Sequence, residues 1–202
     1  MTYNAKIGKQ EQDQRTYQNA SEARRVTQID SLGNAISVDL TTNALEIVER
    51  EHHEIHEGTH FFICDYQSFS NAEVVDFTVV TPNITEWSHM VFNIEGSGAV
   101  SMSIFETAVV DTPGTAVLSY NNNRNSANTT GLTIRIGDTF TDTGTEIYKQ
   151  SKGANKKVGI VTRNREIILK QNKTYLFRIT NETSSANIIS WCMEWYEHTN
   201  TN

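Results

Sequence analysis

The feature that most constrains this chain is a rhythm. From residue 60 onward, short runs with an apolar residue at every second position are divided by clusters of Gly, Asn, Asp and Ser. A period of two places one set of side chains on one face of a strand, the pattern of a half-buried sheet. Candidate strands are HFFICDYQSF (60–69), EVVDFTVVT (73–81), HMVFNIE (89–95), AVSMSIFET (99–107), TAVLSYN (115–121), LTIRIGDTF (132–140), TEIYKQS (145–151), REIILK (165–170), TYLFRIT (174–180) and NIISWCMEWYE (187–197). Alternation is cleanest at Val75, Phe77 and Val79, at Leu132, Ile134 and Ile136, and at Tyr175, Phe177 and Ile179. Nothing of helical period separates these runs, so the strands are expected to pair antiparallel. The expected fold is all-β: an antiparallel β-sandwich, a jelly roll among sandwiches, with an extended N-terminal arm.

The arm is residues 1–24, almost wholly polar, in which Tyr3, Ile7 and Tyr17 are too sparse to build a core. A single sandwich domain is expected over residues 25–202. Between them, residues 44–57 fit two patterns: Leu45, Val48, His52 and Ile55 make a helical stripe, while Leu45 and Ile47 suit the start of a strand. SYNNNRNSANTTG (119–131) and KQSKGANKKVG (149–159) read as exposed loops, with Arg124 at a solvated tip. Polar turn formers at Lys170–Thr174 predict a hairpin between REIILK and TYLFRIT. Near the end of the chain, Trp191, Met193 and Trp195 share a strand face and are expected in the core, with sugar stacking as the other use of such aromatics.

The formal net charge of -7 argues against a free-standing nucleic-acid binder, which would be basic. No apolar run approaches the roughly 18 residues of a membrane span, and the first residues lack the apolar core of a signal peptide. The chain reads as a product of the cytosol with no membrane partner. Cys64 and Cys192, the only cysteines, lie in apolar stretches and read as two buried reduced thiols, on adjacent strands or apart.

One stretch invites a catalytic reading. HHEIHEGTH (52–60) contains H-E-x-x-H at His56–His60. A zinc protease needs that pattern on a helix, but Gly58 sits inside it and Phe61, Phe62 and Ile63 follow in a strand-like run. On a strand, His52, His56 and His60 would share one face, and a trimer axis could gather copies of one of them around a metal. The simpler expectation is a structural strand whose histidines are hydrogen-bonded. No nucleophile elbow or cysteine-protease signature accompanies it. Asp65, Asp76, Glu86, Glu95 and Glu106 are scattered carboxylates of which none forms a recognisable glycosidase pair. No catalytic, cofactor-binding or metal-binding residue is assigned, and the chain is expected not to be an enzyme.

A set of motifs points elsewhere. EHHEIHEGTHFFI precedes TPNITEWSHMVFNI; SIFETAVVDTPGTAVLSYNNNRNS and RNREIILKQNKTYLFRITN follow; NIISWCMEWYEH closes the chain. Over residues 44–198 this arrangement resembles a family of virion structural proteins of tailed bacteriophages, those that decorate or cement the head. The resemblance implies a protein of the capsid surface, made in the host cytoplasm, whose partner is the major capsid protein and which assembles with itself, a homo-trimer being the expected form. It would add buried interface across subunit joints of a DNA-filled head. The alternative is a tail or head-fibre component that binds host-surface carbohydrate. A third possibility, a metal-dependent hydrolase using His56 and His60, is weaker than either.

Overall fold

A computed structural model describes residues 50–84, 86–152 and 159–199. The chain divides into two units, Met1–Val48 and Glu49–Asn202, and the second holds every described residue. The expected arm, the domain start at residue 25 and the ambiguous stretch 44–49 lie outside the described residues.

Helix α1 (Arg50–Glu57) leads into β1 (His60–Phe69), β2 (Val74–Val80), β3 (Glu86–Gly96) and β4 (Val100–Glu106). Short strands follow: β5 (Val109–Val110), β6 (Thr115–Ala116), β7 (Tyr120–Asn121), β8 (Thr133–Ile136) and β9 (Phe140–Asp142). Four long ones close the chain: β10 (Thr145–Lys152), β11 (Gly159–Leu169), β12 (Thr174–Asn181) and β13 (Asn187–Thr199). All pairings are antiparallel. One sheet has the order β11-β3-β13-β1-β7, the other β10-β4-β12-β2-β8-β6, and β5 and β9 form a small ribbon. No helix among the described residues is long and apolar enough to cross a membrane.

The two sheets pack as the expected antiparallel sandwich. Their inward residues form one core, in which Phe61, Ile63, Met90, Phe92, Trp191 and Trp195 of the first sheet meet Phe77, Val79, Ile104, Phe177 and Ile179 of the second. Trp191, Met193 and Trp195 are all buried, as their shared parity requires. The Trp191 ring lies 5.2 Å from that of Phe77 across the sandwich and 6.2 Å from that of Phe69. Burying rings of this size is the main stabilising term of such a core.

Several boundaries differ from the sequence expectation. β11 begins at Gly159 and β10 runs to Lys152, so both ends of the expected 149–159 loop are strand. The 115–121 run splits into β6 and β7, and 132–140 into β8 and the start of β9. The largest correction concerns REIILK and TYLFRIT. They are not a hairpin: β11 pairs with β3, whereas β12 pairs with β2 and β4 in the other sheet. Residues 170–173 form a corner between the layers, braced from the β2 end. Thr81 Oγ1 donates to Lys170 O at 2.7 Å and accepts from Lys173 N at 2.8 Å, while Asn172 N donates to Pro82 O at 3.0 Å. Asn172 takes φ 52, a left-handed conformation that asparagine tolerates. Polar turn residues thus serve a sheet-to-sheet corner as readily as a hairpin.

Candidate functional site

The histidine-rich stretch belongs to two elements. His52, His53 and His56 are on α1, and His60 opens β1, so the strand face expected to carry His52, His56 and His60 together does not form. Gly58 ends the helix with φ 74. Its N–H reaches Ile55 O at 3.0 Å and the Thr59 N–H reaches Glu54 O at 3.0 Å, the paired bonds of a Schellman C-terminus. A Cβ at residue 58 would also collide with the Ser126 side chain. Gly58 therefore divides the two halves of H-E-x-x-H. His56 Nε2 lies 3.0 Å from His52 Nε2 on the exposed helix, whereas His60 is buried and its Nδ1 accepts from Asn122 Nδ2 at 2.6 Å.

The asparagine-rich loop is less exposed than its polarity suggests. A helix leaves its last carbonyls without partners, and side-chain amides from this loop supply them. Asn123 Nδ2 donates to His56 O at 3.1 Å, Asn128 Nδ2 to Gly58 O at 3.2 Å, and buried Asn121 Nδ2 to Gly58 O at 2.8 Å. Arg124 rests over the Tyr120 ring at 5.3 Å.

A second cluster, unforeseen from sequence, occupies the outer face of the β11-β3-β13-β1 sheet at the end nearest His60. His89 of β3 and Tyr196 of β13 are register partners, with rings stacked at 4.6 Å and 16°. His89 Nδ1 lies 2.9 Å from Glu166 Oε2, and the Tyr196 hydroxyl donates to the same oxygen at 2.8 Å. Since an ionised carboxylate only accepts, these bonds place a proton on His89 Nδ1. His198 stands two residues beyond Tyr196 on the same face, its Nε2 2.9 Å from His89 Nε2 and its Nδ1 2.6 Å from Thr199 O. His89 and Tyr196 are buried, while Glu166 is exposed.

Farther along the same face, Cys64 and Cys192 sit directly opposite one another on β1 and β13 and form a disulfide, with Cα atoms 4.1 Å apart. This corrects the expectation of two buried reduced thiols. Both cysteines have the outward parity of their strands, and Cys64 is exposed. Beside them lies an open groove of about 330 Å³ lined in part by Asp65, Tyr66, Asn93, Glu95 and Ser190. Four large side chains protrude from this sheet: Tyr66 is 70% exposed, Ile188 57%, Ile168 48% and Tyr120 44%.

The scattered carboxylates have separate settings. Asp65 caps its neighbour, accepting from Tyr66 N at 2.8 Å, and Glu95 accepts from Asn93 at 3.4 Å. Asp76 holds Arg178 in a two-pronged pair at 2.9 and 2.8 Å. Glu106 accepts from Lys170 Nζ at 2.7 Å and from the Tyr175 hydroxyl at 2.9 Å. The Lys170 bond does most to hold the Glu106 carboxyl below its usual range, against the opposing effect of burial. Burial, with the Glu106 carboxylate alongside, raises the Tyr175 phenol well above its ordinary value. Glu86 lines a different cleft, with Thr130 and Glu197. Of these five the structure brings only Asp65 and Glu95 to one groove, and the others lie apart.

No family model, curated protein or solved structure matches this chain. His89 and His198 are 109 residues apart, and only the β3–β13 register joins them. The one local signal was the outward parity of Tyr196 and His198 opposite Trp191 and Trp195.

Proposed function

We propose that this chain is a tailed-phage virion structural protein that coats the outside of the head and is not an enzyme. The sequence resemblance suggests the class, and strand order supports it. The eight long strands form the orders β11-β3-β13-β1 and β10-β4-β12-β2. Successive long strands change sheet at every step except β4 to β10, which is how two Greek keys wrap into a jelly roll. The observation that carries the reading is the outer face of the first sheet, with Tyr66, Ile188, Ile168 and Tyr120 directed away from the core and exposed. Large aromatic and aliphatic side chains on a rigid sheet are suited to anchoring a protein partner, here the major capsid protein. A disulfide on that face is compatible with a virion surface, where oxidising surroundings preserve it. A homo-trimer over capsid three-fold positions would multiply each modest contact.

The test is co-sedimentation of purified protein with expanded, undecorated heads. Saturable binding in a fixed ratio to the major capsid protein is expected; absence of binding, or only a few copies per head, would overturn a decoration role. One observation favours the carbohydrate-binding alternative: the Tyr66 groove, where an exposed ring adjoins Asp65, Asn93 and Glu95. Trp191 borders this groove but is itself buried, and its ring packs into the core against Phe77 and Phe69.

A further inference from the structure

We propose that His89 and His198 form a binding site for one divalent transition-metal ion of borderline softness, zinc above all, held between their Nε2 atoms. The site does not depend on the capsid reading.

The geometry comes from the sheet. Tyr196 pairs with His89 and His198 pairs with Trp87, so His198 is the diagonal neighbour of His89 on adjacent strands. At that spacing two outward imidazoles meet at their tips, and the Nε2 atoms are 2.9 Å apart. Two zinc–nitrogen bonds of about 2.0–2.1 Å at a tetrahedral angle require a separation of about 3.3 Å. The rings therefore need to part by only about 0.4 Å.

What sets this pair apart is the other nitrogen of each ring. A metal-binding histidine commonly donates its second N–H to a carboxylate or a backbone carbonyl, which fixes the tautomer and turns the free nitrogen toward the ion. His89 Nδ1 is 2.9 Å from Glu166 Oε2 and His198 Nδ1 is 2.6 Å from Thr199 O. The His89 ring is also clamped by the stacked Tyr196, whose hydroxyl shares the Glu166 oxygen. Both rings are thus oriented before any ion arrives.

The donor set selects the ion. Two neutral imidazoles suit Zn²⁺, Ni²⁺ and Cu²⁺, whereas Ca²⁺ and Mg²⁺ require oxygen ligands. With two protein ligands and water in the remaining positions, the dissociation constant is expected on the order of 10 µM, far weaker than a four-ligand structural site.

The helix pair His52 and His56 is the internal control. Its Nε2 atoms are almost as close, at 3.0 Å, but both rings are exposed and, among the described residues, no acceptor faces their Nδ1 atoms. The experiment is calorimetric titration of the untagged full chain with zinc chloride. One site per chain is expected, unchanged in a His52→Ala, His56→Ala double variant and weakened at least tenfold in His198→Ala. Glu166→Gln leaves both imidazoles in place and is expected to weaken binding about tenfold. Should His198→Ala prove poorly folded, Glu166→Gln decides alone, being a change at an exposed side chain. No zinc binding below 1 mM (roughly a hundred times the expected constant), binding lost only in the helix double variant, or binding indifferent to both His198→Ala and Glu166→Gln would overturn the proposal.

Discussion

The two sheets share a core but turn different surfaces outward. On the β4-β12-β2-β8 side, charge meets countercharge: Arg178 grips Asp76, and Arg135 grips Asp138 with 3.0 and 2.7 Å bonds while the Asp138 side chain is fully buried. Arg178 also lies over the Phe105 ring at 5.6 Å. The other face carries a disulfide, a histidine–tyrosine–glutamate cluster and four protruding large side chains, against Val74 and Ile147 on the strands of the paired sheet. A guanidinium and a carboxylate in a two-pronged pair have spent most of their hydrogen-bonding capacity on each other. The first surface thus ties its charges into pairs, whereas the second leaves large side chains open to solvent.

That division predicts a graded series of effects. The largest belongs to Asp138 on the paired face. Burial alone would push its carboxyl up, but bonds from Arg135 and the Gly114 N–H hold it below the usual carboxylate range. Asp138→Ala strands a mostly buried guanidinium and is expected to cost about 3–4 kcal/mol in chemical denaturation. The sign of the pH effect follows. A carboxyl depressed in the folded state contributes stability that is present above its unfolded value near 4 and is lost as pH falls through the folded value. Glu106 acts in the same direction. Stability should hold from neutral pH to about 5 and decline below about 4, less steeply in Asp138→Asn. A variant as stable as the parent would break the contrast between the faces.

The next effect, on the other face, is smaller. The Cys64–Cys192 bond closes a separation of 128 residues. Reduction, or Cys192→Ser, is expected to cost about 3 kcal/mol, or roughly 6–10 °C of melting temperature. Mass spectrometry of the alkylated, unreduced chain should show neither cysteine labelled. Labelling of both would return the pair to the reduced thiols that the sequence first suggested.

Sheet composition was legible in the sequence because alternation is local: β1 spans His60–Phe69 as read, and the buried parity of Trp191, Met193 and Trp195 followed from counting by twos. Which strands become neighbours is set by long-range pairing, and there local reading failed. Lys170–Lys173 has the chemistry of a hairpin turn, yet Thr81, 89 residues from Lys170, makes it a corner. The disulfide and the His89–His198 pair depend on β13 lying between β1 and β3, an order that no stretch of sequence encodes by itself. The helical histidines were misplaced for a local reason. In sequence Gly58 resembles a defect within a helix, but its left-handed φ makes it the residue that ends one.

The smallest stability effect should accompany the most telling functional one. Tyr66 is 70% exposed, and its backbone N–H is already satisfied by Asp65. Tyr66→Ala removes a ring that mainly meets solvent, so its melting temperature should match the parent, within about 0.5 kcal/mol of stability. If this face docks on a capsid, an exposed aromatic on it is the kind of residue that dominates binding, and its loss should weaken co-sedimentation with heads at least tenfold. The paired face supplies the control. Lys149, an exposed cation in a loose 3.8 Å pair with Glu146 on β10, can become alanine with little change in either stability or binding. Equal effects of the two substitutions on head binding would mean that the faces do not differ in recognition. Loss of glycan retention in Tyr66→Ala, with head binding unchanged, would favour a fibre component over a capsid-coating protein.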